Sequence, residues 1–364
     1  MAHFAGNMLQ CWRGARIAFG QCEAPRRRAT PMALHLVTGG AGFVGSILAR
    51  RLLEQGEDVR VFDMVHSDRV PEGVQMYAGD MRDRRAVRHA CRGVDVVYHL
   101  AFIQASSKNV RAKRWNINFK GTKHFIEYSQ DAGVKRFVLV SSMDVYSPRP
   151  PCPCTELAST ERPYGWYGRH KAAVERLAME YHEMSGFPVV ILRFPTICGP
   201  GYYARKSLLD LMDWIARGRP LIWIDGPDIR CDFVHIDDVI QGLLLAGRAP
   251  DKASGQVFNV SCSEPATPVD LMKACLRHLG RRMPIIRVPR EPGIALARLM
   301  TRTNILDFPP EQLDYLFYDN FYSSDKARKT LGYEPQFTAE EAVIELFRSY
   351  LPQRTSIRAK AKNY

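Results

Sequence analysis

The sequence predicts an α/β fold, a doubly wound parallel sheet followed by a smaller C-terminal lobe. Three observations carry this. Short apolar runs alternate with helix-periodic stretches as far as Phe194, the pattern of βαβ units. The runs are continuously apolar, as strands are when helices cover both faces of a sheet. A glycine cluster stands between the first run and the first helical stretch, the Rossmann-type arrangement for a bound phosphate.

In order, ALHLVTGG (33–40) reads as the first buried strand, and FVGSILARRLLEQG as a helix stopped at Gly56. DVRVFD (58–63), VQMYAGD (74–80), VDVVYHLA (94–101), KRFVLVSS (135–142) and FPVVILRF (187–194) read as further strands. Helical stretches fall at 84–92, 114–131 and 167–185. The domain they form runs from 32 to 194. After Phe194, Pro and Gly become frequent and amphipathic stretches such as LLDLMDWIARG appear. Residues 195–350 therefore read mainly as a substrate-binding lobe, with segments near 231–260, GQVFNV among them, returning to the sheet. PRPPCPC (148–154) reads as a loop.

Composition is that of a soluble globular protein: of 364 residues, 46% are hydrophobic and 24% charged. No apolar run approaches the roughly 18 residues of a membrane span. The net charge of +13 is concentrated at the ends: residues 1–31 and 354–364 contribute +4 each and the middle +5. The charge of the middle suits an anionic substrate. No base-reading or stacking motif accompanies the charge, so nucleic acid is not an expected partner. The Arg-rich residues 1–31 read as a disordered extension or an early start upstream of Met32, and 351–364 as a basic tail. The nine cysteines are scattered, with no second pair or His cluster to complete a metal site beside Cys152 and Cys154. Free thiols in a reducing cytoplasm are the expectation.

The loop TGGAGFVG (38–45) places Gly39, Gly42, Phe43, Val44 and Gly45 between strand and helix. Its glycines allow a tight turn and close backbone approach to a pyrophosphate. Asp63 ends the second strand eighteen residues past Gly45. A carboxylate there accepts from both ribose hydroxyls and repels a 2′-phosphate, which favours NAD over NADP. Further on, ERPYGWYGRHK holds two tyrosines and a lysine. Tyr167 and Lys171 are four apart and share a helix face, whereas Tyr164 and Lys171 are seven apart. A phenol with a pKa near 10 is a poor base at neutral pH, and an adjacent ammonium lowers that pKa. Tyr167 is thus the candidate acid/base.

With TGGAGFVG and Asp63, the motifs GDMRD (79–83), YHLA (98–101), NFKGT (118–122), SSMDVY (141–146), YGRHK (167–171), LRFPTICGPG (192–201), CDFVHIDDV (231–239) and SSDKARKTLGYEP (323–335) follow in order. On these the chain, over about residues 33–350, resembles the extended short-chain dehydrogenase/reductase family of the NAD-dependent epimerase/dehydratase type. The resemblance implies that Asp80 and Met81 lie beside the adenine, that Leu100, Ala101 and Pro195 line the cofactor, and that Lys171 holds the nicotinamide ribose. Ser142, 25 residues before Tyr167, would steady the reacting oxygen. The implied chemistry is Tyr-assisted hydride exchange, ending either as a dehydrogenase or, with return of hydride to the other face, as an epimerase. Members of the family are commonly dimeric.

Three departures bear on the substrate. Met143 stands where dehydratases carry an acid, which argues against water elimination. Cys231 stands where sugar-nucleotide epimerases carry a diphosphate-clamping Arg, with Arg230 one residue earlier. Thr196 stands where an Asn is usual. Ser142, Thr196 and Arg230 are the candidate substrate contacts. The leading expectation is an epimerase or oxidoreductase of a nucleotide-diphosphate sugar. PGIALARLMTR and FPPEQLDYLFYDNFY are apolar for a sugar site. They read as core or interface, or as the pocket of a 3β-hydroxysteroid-dehydrogenase-like enzyme for a hydrophobic hydroxyl or keto substrate. A third reading, a non-catalytic NAD-binding protein, is opposed by the intact Ser142, Tyr167 and Lys171 set.

Overall fold

The computed structural model describes residues 33–104, 113–203, 206–224, 229–303 and 317–361. The N-terminal extension and the last three residues of the tail lie outside them.

The first half alternates as its pattern predicts. β1 (Leu34–Thr38) leads into α1 (Phe43–Glu54), then β2 (Asp58–Asp63), β3 (Gln75–Ala78), α2 (Arg84–Ala90) and β4 (Val96–His99). A wide turn, Asn116–Gly121, runs into α3 (Thr122–Asp131), followed by β5 (Arg136–Ser142), α4 (Gly165–Ser185) and β6 (Val189–Phe194). Local chemistry sets the boundaries. Gly56 follows α1 with φ +80°, a conformation that costs glycine nothing. Asp83 caps α2 by accepting from Arg85 N and Ala86 N. Gly186 ends α4 in the left-handed conformation.

The second half comprises β7 (Thr196–Cys198), α5 (Lys206–Ala216), β8 (Leu221–Ile224), β9 (Phe233–His235), α6 (Ile236–Gly247), β10 (Gln256–Asn259), α7 (Pro268–His278), β11 (Ile285–Val288), α8 (Arg290–Arg302), α9 (Asp325–Leu331), α10 (Ala339–Tyr350) and α11 (Arg354–Ala361). The main sheet has seven strands in the order β10-β6-β5-β4-β1-β2-β3, all pairs parallel. The order reverses between β1 and β4, and the crevice there, outside the carboxyl ends of the strands, is where ligands bind in such sheets. β7 pairs with β9 and β8 with β11 as separate two-stranded ribbons.

Side chains alternate along each strand into two cores. Val37, Val61, Val190 and Leu192 face Leu48 and Leu52 of α1 and Val239 and Leu243 of α6. Leu36, Phe62, Val189 and Ile191 face Phe125 and Ile126 of α3 and Val174 and Leu177 of α4. The sheet is therefore buried on both sides, which explains its unbroken apolar runs. A third core, including Met212, Ile215, Leu276, Leu346 and Phe347, holds the α5, α7 and α10 layer together.

Candidate active site

The glycine loop forms a cradle at the start of α1. Gly39 adopts φ +70°, and a Cβ on it would stand 2.9 Å from Ala101 N. A Cβ on Gly45 would collide with the Gly39 carbonyl. These two positions fix glycine by conformation and by space. At the head of α1, Gly42 supplies no side-chain cap, and the first turn holds no acid. The first N–H groups are left to an incoming anion, with the helix dipole behind them. Asp63 stands across the loop: its Oδ2 accepts from Ala41 N at 3.0 Å and its Oδ1 from Val65 N at 3.3 Å. One carboxylate thus braces the cradle and keeps lone pairs for a ribose. This set fits a dinucleotide.

The remaining cofactor candidates border the same crevice or lie near it. Arg82 hydrogen-bonds Asp80 and holds its carboxyl below the usual range. Met81 is buried, and a Cβ on Gly121 would run into its side chain. Leu100 and Ala101 follow β4. Ala101 N donates to Thr38 Oγ1 at 3.1 Å, and Thr122 Oγ1 donates to Asn118 O at 2.6 Å. His99 lies between these hydroxyls, with Nδ1 2.9 Å from Thr38 Oγ1 and Nε2 2.9 Å from Thr122 Oγ1. The chain of donors closes if His99 is neutral with its proton on Nε2. Burial, and then the Lys171 charge, push its pKa down to about 3. His99 therefore fastens β4 to β1 and α3. Pro195 joins β6 to β7, and Thr196 begins β7 opposite Phe233.

α4 packs its first turn onto the turn after β5. Tyr164 N donates to Asp144 O at 2.9 Å, and a Cβ on Gly168 would collide with that carbonyl. This contact sets Tyr167 and Lys171 beside the end of β5, where Ser142 Oγ accepts from Asp144 N at 3.2 Å. Lys171 is buried and donates to Val140 O at 2.7 Å. Burial lowers its pKa to about 7, against the opposing charge of Glu175 one turn on. Its Nζ is 5.8 Å from the Tyr167 ring centroid, but only 3.8 Å from that of Phe102. Phe102 also meets the Tyr167 ring edge-on at 5.5 Å, and Gln104 Nε2 donates to Tyr167 OH at 3.1 Å. The shared helix face is there as the spacing predicts, but Phe102 has packed against both partners. Spacing along one helix carries no information about a ring delivered from β4.

Asn118 is a second residue to which sequence reasoning gave no role, although it begins the NFKGT motif. It is fully buried in the wide turn before α3 and clamps Ile103 from both sides, accepting from its N at 2.8 Å and donating to its O at 3.2 Å. It thereby fixes the segment that carries Phe102.

A cleft begins directly beyond Ser142. Met143, Tyr146, Tyr164, Tyr318, Asn320 and Tyr322 line it, with Arg149 over the Tyr318 ring at 3.9 Å. Cys231 faces away from it: the thiol is buried in the third core and donates to Ala266 O. Arg230 lies at the rim, its guanidinium 4.1 Å from the Phe321 ring centroid and 3.9 Å from Asp319. Asp232, also buried, accepts from Cys262 N and Tyr322 N and pins that wall.

Fold and crevice define a dinucleotide-fold protein with a Ser, Tyr and Lys set at the carboxyl ends of its strands. The chain belongs to the NAD dependent epimerase/dehydratase family, whose model matches residues 35–261. It is 30% identical to the 3 beta-hydroxysteroid dehydrogenase/Delta 5-->4-isomerase of Mycobacterium tuberculosis over 90% of this chain and 92% of that protein. It is also 30% identical to the UDP-glucose 4-epimerase of Streptomyces lividans over 77% and 92% of the two chains. Among solved structures, an epimerase from Methanothermobacter thermautotrophicus superimposes with a TM-score of 0.72 at 25% identity, over 90% of this chain and 95% of that one. The family comprises epimerases, dehydrogenases and dehydratases, and the fold agrees throughout. Among the described residues no helix is long and apolar enough to cross a membrane, and no cluster of ligands could hold a metal ion.

Proposed function

We propose that the chain is an NAD-dependent dehydrogenase/reductase of a hydrophobic, ring-bearing hydroxyl or keto substrate. One observation carries this: the cleft that begins at Met143, next to Ser142 in the chain, is walled by Tyr146, Tyr164, Tyr318 and Tyr322, with Arg149 and Asp319 among its lining, while the position of a diphosphate clamp is a thiol buried in the core. The likeness to a 3β-hydroxysteroid dehydrogenase and, at 28% identity, to the mouse sterol-4-alpha-carboxylate 3-dehydrogenase supports the same substrate class. Gly39, Gly42, Phe43, Val44, Gly45 and Asp63 would hold the pyrophosphate and adenosine ribose, with Asp80, Met81, Leu100, Ala101 and Pro195 alongside. NAD, when bound, supplies the hydride acceptor. Tyr167 takes the proton of the substrate hydroxyl, Lys171 as a cation favours the phenolate, and Ser142 holds the reacting oxygen.

The second reading, a nucleotide-sugar epimerase, rests on Arg230 at the cleft rim, with Thr196 on β7 paired to Phe233 of β9, and on the Streptomyces relative. The test offers purified protein NAD or NADP together with 3β-hydroxysteroids, UDP-glucose or UDP-galactose. We expect NADH to accumulate with the steroid and with NAD in preference to NADP. Interconversion of the UDP-sugars without net NADH would establish the epimerase instead. A homodimer and a reducing cytoplasm complete the proposal. The first rests on the exposed Trp115, stacked on Phe119 beside α3, and the second on the free thiols among the described cysteines.

Phe102 adds a measurable consequence. Its ring covers the ammonium that would meet the nicotinamide ribose, so binding first has to move it aside. Phe102→Ala should tighten NADH binding by roughly ten-fold in a fluorescence titration, because the competent state no longer has to be selected. Unchanged or weaker binding would show that the ring is no obstacle.

A further inference from the structure

The chain that leaves β6 returns to the glycine cradle. β6 ends at Phe194 and the cradle follows β1, with β5 and β4 between them in the sheet, a span of about 14 Å at the usual strand spacing. Residues 195–202 bridge it along the carboxyl ends of the strands. Ile197 packs on the first core together with Val140 of β5, Leu100 after β4 and Phe43, the first residue of α1. A Cβ on Gly199 would run into Ile236 at the head of α6, so the loop lies close against that helix. Tyr202 N then turns back to donate to Gly199 O at 3.2 Å. On either side of Tyr202, Gly201 N donates to Ser349 Oγ at 3.4 Å and Tyr203 OH to Ser349 O at 3.0 Å. With its neighbours held from α10, the Tyr202 ring meets the Phe43 ring at 5.2 Å between centroids, inclined by 50°. Both residues are half-buried.

Phe43 belongs to the head of α1, where the first N–H groups are left to an anion. A dinucleotide reaching from this head to Lys171, which bonds Val140 O of β5, spans the same strand ends as the loop. We propose that Tyr202 is a positioning residue for the cofactor: through Phe43 it fastens the 199–203 loop to the cradle, and the rings must part before the pyrophosphate enters or leaves. Exit retraces entry, so a barrier on that path slows both. The inference rests on the dinucleotide reading of the glycine loop and not on the choice of substrate.

Stopped-flow fluorescence of the full-length protein follows NADH binding, and NADH displacement by excess NAD. Tyr202→Ala should raise the association and dissociation rate constants together, each by roughly three- to ten-fold, the worth of one aromatic pair, with Kd nearly unchanged. Tyr202→Phe keeps the ring and should behave as the wild type. Phe43→Ala reaches the same pair from the other side and should match Tyr202→Ala, so the expectation can be read on whichever variant keeps the wild-type melting temperature. The double variant should add nothing further, because the two residues act as one contact. Unchanged rate constants, with NADH still bound, overturn the proposal and leave the dinucleotide reading standing. A wild-type protein that binds no NADH overturns both. Faster dissociation alone, with Kd weakened in step, would make Tyr202 an ordinary contact of the bound cofactor and also overturn the proposal.

Discussion

Tyr167→Phe should lower kcat/KM by about 10²- to 10⁴-fold, the usual worth of a positioned acid/base, while Tyr164→Phe should stay within a few-fold of the wild type. Both tyrosines stand at the start of α4, three residues apart, so the comparison tests position and not residue type. Tyr164 is buried in the cleft wall, and its backbone holds Asp144; removing its hydroxyl leaves that contact intact. Tyr167 presents its hydroxyl to Gln104 at 3.1 Å in a part of the crevice that Lys171 backs. Steady-state rates with whichever substrate the protein turns over, together with NADH affinity, distinguish the two roles. Loss of rate with unchanged NADH binding assigns Tyr167 to the chemistry. Equal losses from the two variants would remove the assignment.

The main sheet was legible because each of its strands is a local apolar run with a helix-periodic neighbour. β2 falls on DVRVFD without displacement, and even β10, far along the chain, announces itself in GQVFNV. The two small ribbons were not legible. β7 and β9 have three residues each and lie more than thirty positions apart; so short a strand has no period to read, and its pairing depends on tertiary position. The site divides in the same way. The glycine loop, Asp63 and the spacing of Tyr167 and Lys171 are local patterns tied to known chemistry. Phe102 over Lys171, Asn118 clamping Ile103 and the tyrosine wall arise where loops from β4, β5 and the 317–322 segment meet. The residues of that last segment, FYDNFY, read equally well as core from sequence alone.

Glu175 is the position where loss of a single side chain should cost the fold most. It stands on α4 one turn beyond Lys171 and accepts from Arg193 Nε at 2.9 Å and Nη2 at 2.5 Å, with both partners buried. The Arg193 guanidinium in turn lies 4.8 Å from the Tyr146 ring centroid, and Tyr146 OH donates to Asn259 at 2.6 Å. Helix α4, strands β6 and β10 and the cleft wall are thus tied through one buried pair. Glu175→Ala leaves the guanidinium buried without its counter-charge and should lower stability by roughly 3–5 kcal/mol. Replacing both partners, Glu175→Leu with Arg193→Met, removes the stranded charge and should recover most of that loss. Glu175 also opposes the desolvation of Lys171, whose pKa stands at about 7 in the fold and near 10.4 in the unfolded chain. Between those values the unfolded state binds more protons, so this lysine makes stability rise with pH; the penalty is full below about pH 7 and is relieved as pH climbs through the window. Without Glu175 the folded pKa drops further, and the window opens at lower pH. Urea denaturation at pH 6 and pH 9 should therefore show a steeper gain with pH in Glu175→Ala than in the wild type, and a shallower one in Lys171→Met. Parallel slopes in all three proteins would mean that Lys171 keeps an ordinary ammonium in the fold.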